Sequence, residues 1–250
     1  MTPLLLPDSA RLAWWYAAWL RGDVAPDDVA DAVVADDAGH HIADLPGHDE
    51  LTPLLLGLGT LRNLGATTAG LAYPAEGDPV GLGGPAEFNV AALDQGEAVV
   101  LPGSGLGLVP VRAGRGVVWL CLPARSRQLI DLGEAGRGYR AAVLEAANRL
   151  AGLDVARWRP AVADALLNLR RAAVPVGPPG TPTAAVALAG RGVHGLALVD
   201  LALEDDGAAV SAQQADERRA ALLPLAAASR RALVAACSPE AWPDEAPSTP

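Results

Sequence analysis

From Thr67 to Ala124 the apolar residues of this chain come in short runs punctuated by Gly and Pro, whereas on either side they recur every three or four positions. Short apolar runs between turn formers are the pattern of strands, and a three-to-four repeat is the pattern of amphipathic helices. The expected fold class is therefore α+β: a small, mostly antiparallel sheet over about residues 67–124, flanked by N-terminal helices and a C-terminal helical region. TAGLAYP, GEAVVLP, LGLVPVRAG and GVVWLCLPA each read as a strand, and the AGRG between the last two suits an antiparallel hairpin. A short helix over Pro85–Asp94, with Pro in its first turn and Phe88, Ala91 and Ala92 at helical spacing, is expected to pack on the sheet.

In the N-terminal part, Asp8 or Ser9 can cap a first helix after Pro7, and Leu12, Trp15, Tyr16, Trp19 and Leu20 make one apolar stripe that ends before Gly22. Pro26, Asp27 and Asp28 start a second helix, and a third runs from Thr52 or Pro53 to Leu64, with Gly65 as its stop. The segment between them, Asp36–Glu50, is polar and turn-rich, with at most a short strand around His41–Leu45. Beyond the strands, residues 139–152 and 160–172 are amphipathic helices. Ala184–Leu203 is read as a helix rather than a hairpin turning at Gly190–Gly192. Each glycine costs a helix about 1 kcal/mol, but small residues let a neighbour come close. Ser211 and Gln214 form a capping box for a last helix to about Cys237, which Pro224 should kink or interrupt. Residues 1–238 are expected to form a single α+β domain, with the Pro- and Gly-rich segment 174–183 as the place for a sub-boundary and 239–250 as a disordered tail.

Half of the chain is apolar, 51% of 250 residues, enough for a substantial core. Nineteen basic residues face 29 acidic ones, a net charge of −10, and every basic residue is Arg. A GC-rich coding sequence explains the absence of Lys, so arginine as such is a poor clue here. The pairs Arg170–Arg171, Arg218–Arg219 and Arg230–Arg231 are read as solvated helix faces, and an acidic chain without a basic stripe argues against nucleic acid. The start, MTPLLLPDSA, lacks a basic n-region, and no run reaches the ~20 apolar residues of a membrane span, so a cytoplasmic protein is expected. Cys121 and Cys237, in apolar surroundings, are expected to be buried reduced thiols.

Three of the four histidines, His40, His41 and His48, crowd together with Asp36, Asp37, Asp44, Asp49 and Glu50. Their spacing matches no metal signature, and neighbours on a strand face opposite ways, so an exposed acidic loop is expected, without metal or cofactor. GDPVGLGGPAEFN holds no Lys and no following Ser or Thr, and is read as a turn needing positive φ rather than a phosphate loop. GSGLG at 103–107 reads as a hairpin turn, and Asp205–Gly207 as a connection between helices.

Trp14, Trp15 and Trp19 are the densest local concentration of aromatic residues. Trp14 lies to one side of the apolar stripe, where an exposed indole would anchor a partner, so the three form the candidate protein interface. The competing account buries this helix on two sides.

The phrases LPDSARLAWWYAAWL, GDPVGLGGPAEFN, DVARWRPAVADALLNLR and RRALVAACSPEAWP, in a chain without Lys, resemble an uncharacterised family of actinobacteria. The resemblance implies a bacterial cytoplasmic setting and carries no activity. The expected function is a non-enzymatic binding or regulatory protein, acting through a protein partner or as a homo-oligomer, with no catalytic residues to name. The alternative is a small-molecule-binding domain or enzyme with its site near the His40–His48 segment and the Gly81–Pro85 loop. Elemental analysis of the purified protein should find no stoichiometric zinc, manganese or iron.

Overall fold

A computed structural model describes residues 6–125, 127–152, 175–204 and 212–243. Three helices and two short strands open the chain: α1 (Asp8–Arg21), α2 (Pro26–Val34), β1 (His40–Ala43), β2 (Thr52–Pro53) and α3 (Leu54–Asn63). There follow β3 (Gly70–Ala72), α4 (Ala86–Gln95), β4 (Ala98–Leu101), β5 (Leu106–Ala113) and β6 (Gly116–Pro123). Three long helices complete the described chain, α5 (Leu132–Gly152), α6 (Thr183–Glu204) and α7 (Ala212–Ala236), and a 3-10 turn spans Pro239–Ala241. The fold is α+β, and the expected helices and strands fall close to their expected places. Residues 160–172, Ser211, the turn at Asp205–Gly207 and the tail after Pro243 lie outside the described residues.

The strands form one sheet in the order β2-β1-β6-β5-β4-β3. β5 and β6 pair antiparallel from Leu106↔Pro123 to Ala113↔Gly116, around a two-residue turn in which Gly114 takes φ 61, as hairpin turns that match strand twist require. β1 enters beside β6 as the parallel pair of the sheet, with Ile42 opposite Trp119. The β structure thus reaches outside residues 67–124. A four-residue strand with one large apolar side chain, bonded on both sides, takes its place from the ladder and leaves little pattern in the sequence. Thr52 and Pro53, expected as helix, pair with β1 instead.

Alternation sorts the strand residues onto two faces. Ile42, Leu71, Val99, Leu108, Trp119 and Cys121 join the main core with α1, α3 and the end of α7. Ala72, Ala98, Val100 and Val109 face α4, whose Phe88 and Ala92 cover them. With both faces covered, β4 is buried at every position, which explains its uninterrupted AVVL. Cys121 and Cys237 are both buried and unpaired, and burial pushes both thiols above their ordinary pKa, Cys121 to about 11.

Segment 184–203 is helical, within α6. A Cβ on Gly192 would lie 3.0 Å from Ser229 O and 3.1 Å from Leu233 N of α7, and one on Gly195 would lie 2.4 Å from Ser229 Oγ. The glycines that weaken the helix therefore let α6 and α7 touch backbone to backbone. By length and composition α6 is the one described helix able to cross a membrane, with a mean hydropathy of 1.5 over Thr183–Leu203. Pro224 does not interrupt α7, which is continuous from Ala212 to Ala236. Ala142 and Ala146 of α5, Val199 of α6 and Leu222 and Leu225 of α7 form a separate cluster where the three helices meet.

Two glycine substitutions should therefore act in opposite directions. Gly192→Val should lower unfolding free energy by roughly 1–3 kcal/mol through overpacking against α7. Gly59→Ala in α3, where a Cβ meets nothing within 4 Å, should raise it by roughly 0.5–1 kcal/mol. Denaturant unfolding of both variants measures the contrast.

Candidate functional site

A ring of charged side chains surrounds the start of α1. Pro7 occupies the N-cap position, so neither Asp8 nor Ser9 caps the helix as expected, and the free Ser9 N–H donates to Glu97 Oε2 at 2.8 Å, across 88 residues of chain. Asp8, in the first turn, pairs with Arg11 and with Arg112 of β5. Arg112 also reaches Asp37 Oδ1 at 2.8 Å, and Asp37 Oδ2 lies 2.9 Å from His40 Nε2. On the far side of the imidazole, Trp119 Nε1–H donates to His40 Nδ1 at 3.2 Å, which leaves the proton on Nε2 to donate to Asp37. Desolvation pushes the Asp37 carboxyl up, but the hydrogen bonds from His40 and Arg112 outweigh it and hold that carboxyl below its usual range. Glu97 behaves oppositely: desolvation, aided by neighbouring Asp8 and opposed by the Ser9 hydrogen bond, raises its pKa to about 6.

This ring is an internal bond network more than a reaction centre. The His40 side chain is fully buried with both nitrogens engaged, so it ties β1 to β6 and offers no nitrogen to a substrate. Its neighbour His41 faces the opposite way and is exposed, and His48 Nε2 lies 3.2 Å from Thr60 Oγ1 of α3. Among the described residues no group of three His, Cys, Asp or Glu side chains could hold a metal ion. The alternative site, built from the His40–His48 segment and the Gly81–Pro85 loop, is not assembled. Gly81 packs against Ala72 of β3, and three strands separate β3 from β1, roughly 19 Å at ordinary strand spacing.

Of the two accounts of the α1 tryptophans, the structure shows burial on two sides. Trp14 is 1% exposed and donates its Nε1–H to Ala236 O at 2.8 Å, so it does not lie on an open flank. Helix α1 is buried on two sides, because the alanines at 10, 13, 17 and 18 let neighbours close in around Leu12, Trp14 and Tyr16. Its partly exposed stripe is Arg11, Trp15 and Trp19, each four residues from the next. The Arg62 guanidinium sits 5.1 Å over the Trp19 ring, and Arg21 lies 5.6 Å over Trp242, whose Nε1–H shares Ala236 O with Trp14. The result is a tryptophan and arginine face around the C-terminal half of α1.

Models of the Rv1486c-like protein match this chain in two parts, an N-terminal domain over residues 9–132 and a C-terminal domain over residues 133–234. The chain belongs to this Rv1486c-like family. Two relatives, the uncharacterized proteins Rv1486c and MT1533 of Mycobacterium tuberculosis strains H37Rv and CDC 1551, are each 31% identical to it over 289 residues, spanning 94% of this chain and 99% of their own. The resemblance to an uncharacterised actinobacterial family is thereby confirmed. No solved structure matches the chain. The charged ring and the aromatic stripe of α1 both lie within the N-terminal match of this Rv1486c-like protein. Its main core crosses the join between the two matches, since Leu188, Ala189, Leu233 and Val234 pack in the same cluster as Leu12 and Trp119.

Of the candidate residues only Trp15 and Trp19 remain on the surface. Glu97 and Arg112 were not singled out in the sequence, and no local signal joins them to Asp37, because Glu97 and Arg112 meet the start of α1 only through the sheet. The arginines read as solvated were misjudged in part: Arg218 is buried, and Arg230 and Arg231 both bond Asp78 of the loop after β3.

Since folding raises the Glu97 pKa from 4.5 to about 6, the native chain keeps a proton there that the unfolded chain has released, and stability falls as pH rises through that window. Glu97→Gln keeps an oxygen for the Ser9 N–H and removes the titration. It should match the parent near pH 4.5 and exceed it above pH 6 by roughly 1 kcal/mol, the side chain being partly in water. Thermal melts across this range report it; parallel profiles for the two proteins would contradict the assignment.

Proposed function

We propose that this Rv1486c-like protein is a non-enzymatic, cytoplasmic binding or regulatory protein that works through a protein partner or a second copy of itself. The observation that carries the reading is the partly exposed Trp15–Trp19 stripe of α1, with Arg62 held over Trp19 and Arg21 over Trp242 at its edge. Tryptophan and arginine dominate the energetic centres of protein interfaces, because each presents a large, stiff surface with donors at its margin. Stacking also holds these two guanidinia in place before any partner arrives, which lowers the entropy that association must overcome. The closed hydrogen bonding around His40 favours binding over acid–base chemistry at that ring, since its imidazole has no free nitrogen.

The test is site-specific photo-crosslinking in the native host. A photoreactive residue in place of Trp15 or Trp19 should trap one protein, or a second copy of the chain, in a discrete product. The same residue in place of Val176, an exposed side chain elsewhere on the surface, should not. No product from positions 15 and 19, or the same product from all three, would sink the reading. Trp14→Ala is the contrasting variant: with its indole in the core, it should lose roughly 3–5 kcal/mol of stability.

A further inference from the structure

We infer that the cleft between the start of α5 and the first half of α6 is a binding site for a small phosphate monoester. It encloses about 520 Å³ and is lined by Asp131, Arg137 and Arg140 on one side, Leu188 and Arg191 on the other. That volume suits a small organic molecule better than a single ion.

Charge identifies the ligand class. In a chain of net charge −10, three arginines line this one cleft, and none of the three forms an ion pair among the described residues. Several arginines elsewhere are ion-paired: Arg11 and Arg112 with Asp8, Arg127 with Glu240, Arg230 and Arg231 with Asp78. Asp131 is the one carboxylate in the lining, and its Oδ1 already accepts the N–H groups of Gly133 and Glu134. Three cations against one anion leave the lining two charges positive, which a phosphate monoester, close to a dianion at neutral pH, neutralises. Since Asp131 occupies the helix N–H groups, the guanidinia and not the helix terminus carry the site.

Geometry agrees with charge. Arg137 and Arg140, three residues apart, point from one face of α5, and Arg191 comes from α6 on the opposite wall. Forks arriving from two walls suit the several oxygens of a tetrahedral phosphate better than the two of a planar carboxylate. Gly136 puts no side chain between them: a Cβ there would lie 3.8 Å from Arg140 Nη1 and 3.9 Å from Leu188 Cδ1. Leu188 gives the organic body of the ester an apolar surface. These residues are distinct from the α1 aromatic face, so this assignment stands or falls independently of the protein-partner reading.

The experiment is calorimetric titration of the full chain with phenyl phosphate at physiological ionic strength, with inorganic phosphate and benzoate as comparators. One saturable site for phenyl phosphate is expected, with both comparators weaker by about tenfold or more. Arg137→Gln and Arg191→Gln should each weaken phenyl phosphate by about tenfold, a loss of the size expected for one charge-assisted fork, with melts near the parent's because these arginines are exposed. As a measurement that needs no variant, phenylglyoxal labelling followed by mass spectrometry should find Arg137, Arg140 and Arg191 protected by phenyl phosphate, and Arg149 of α5 labelled as before. Absence of a saturable site, benzoate binding at least as tightly, undiminished affinity in both variants, or equal labelling with and without phenyl phosphate would each overturn the assignment.

Discussion

Helix α1 is buried on all sides but one stripe, and its polar atoms must therefore be satisfied by groups that other elements bring to it. Three such groups arrive from far along the chain. Glu97 accepts the Ser9 N–H, Leu58 O of α3 accepts the Tyr16 hydroxyl at 2.9 Å, and Ala236 O at the end of α7 accepts the Trp14 indole N–H. Those contacts span 88, 42 and 222 residues, so the sheet, the N-terminal helices and the last helix must be docked together before α1 can lose its water. A helix with the same apolar residues and no such acceptors would bury two aromatic donors unpaired, at about 1–3 kcal/mol each. The join between the N-terminal and C-terminal parts of this Rv1486c-like protein is thus made by hydrogen bonds to α1 as well as by apolar packing.

Electrostatics reinforces that arrangement. In a strongly acidic chain, arginine is the scarce partner, and the fold places it where carboxylates would otherwise repel. Arg112 bridges Asp8 and Asp37, which keeps the start of α1 beside β1, and Asp78 draws in Arg230 and Arg231, which fastens the loop after β3 to α7. Beside these pairs, three arginines line one cleft with no ion pair among the described residues. The aromatic face on α1 uses arginine differently again, as a cap on exposed indoles.

The local signals were read well where the physics is local. Gly22 ends α1 with φ 88, Pro26 and the acidic residues after it open α2, and the AGRG turn sets the β5–β6 register. Ala184–Leu203 is helical for the reason its small residues suggest, the approach of α7 at Gly192 and Gly195. Periodicity leaves Trp14 between two accounts because it gives alanine little weight, whereas in a tight core alanine is what admits a second neighbour. The arginine cleft was overlooked for a different reason: when every basic residue is Arg, residue type says nothing about which of them converge.

By itself, then, the sequence determined the α+β class, the positions of most helices and strands, and membership of a family through phrases spread along the chain. Each of these rests on periodicity, capping or turn chemistry within a few residues. The tertiary structure decided that β1 lies parallel to β6, that Trp14 is inside while Trp15 and Trp19 stay partly outside, and which arginines are matched and which face an open cleft. Those outcomes depend on pairings between residues tens to hundreds of positions apart, where long-range hydrogen bonds and charge balance act and no local pattern records them.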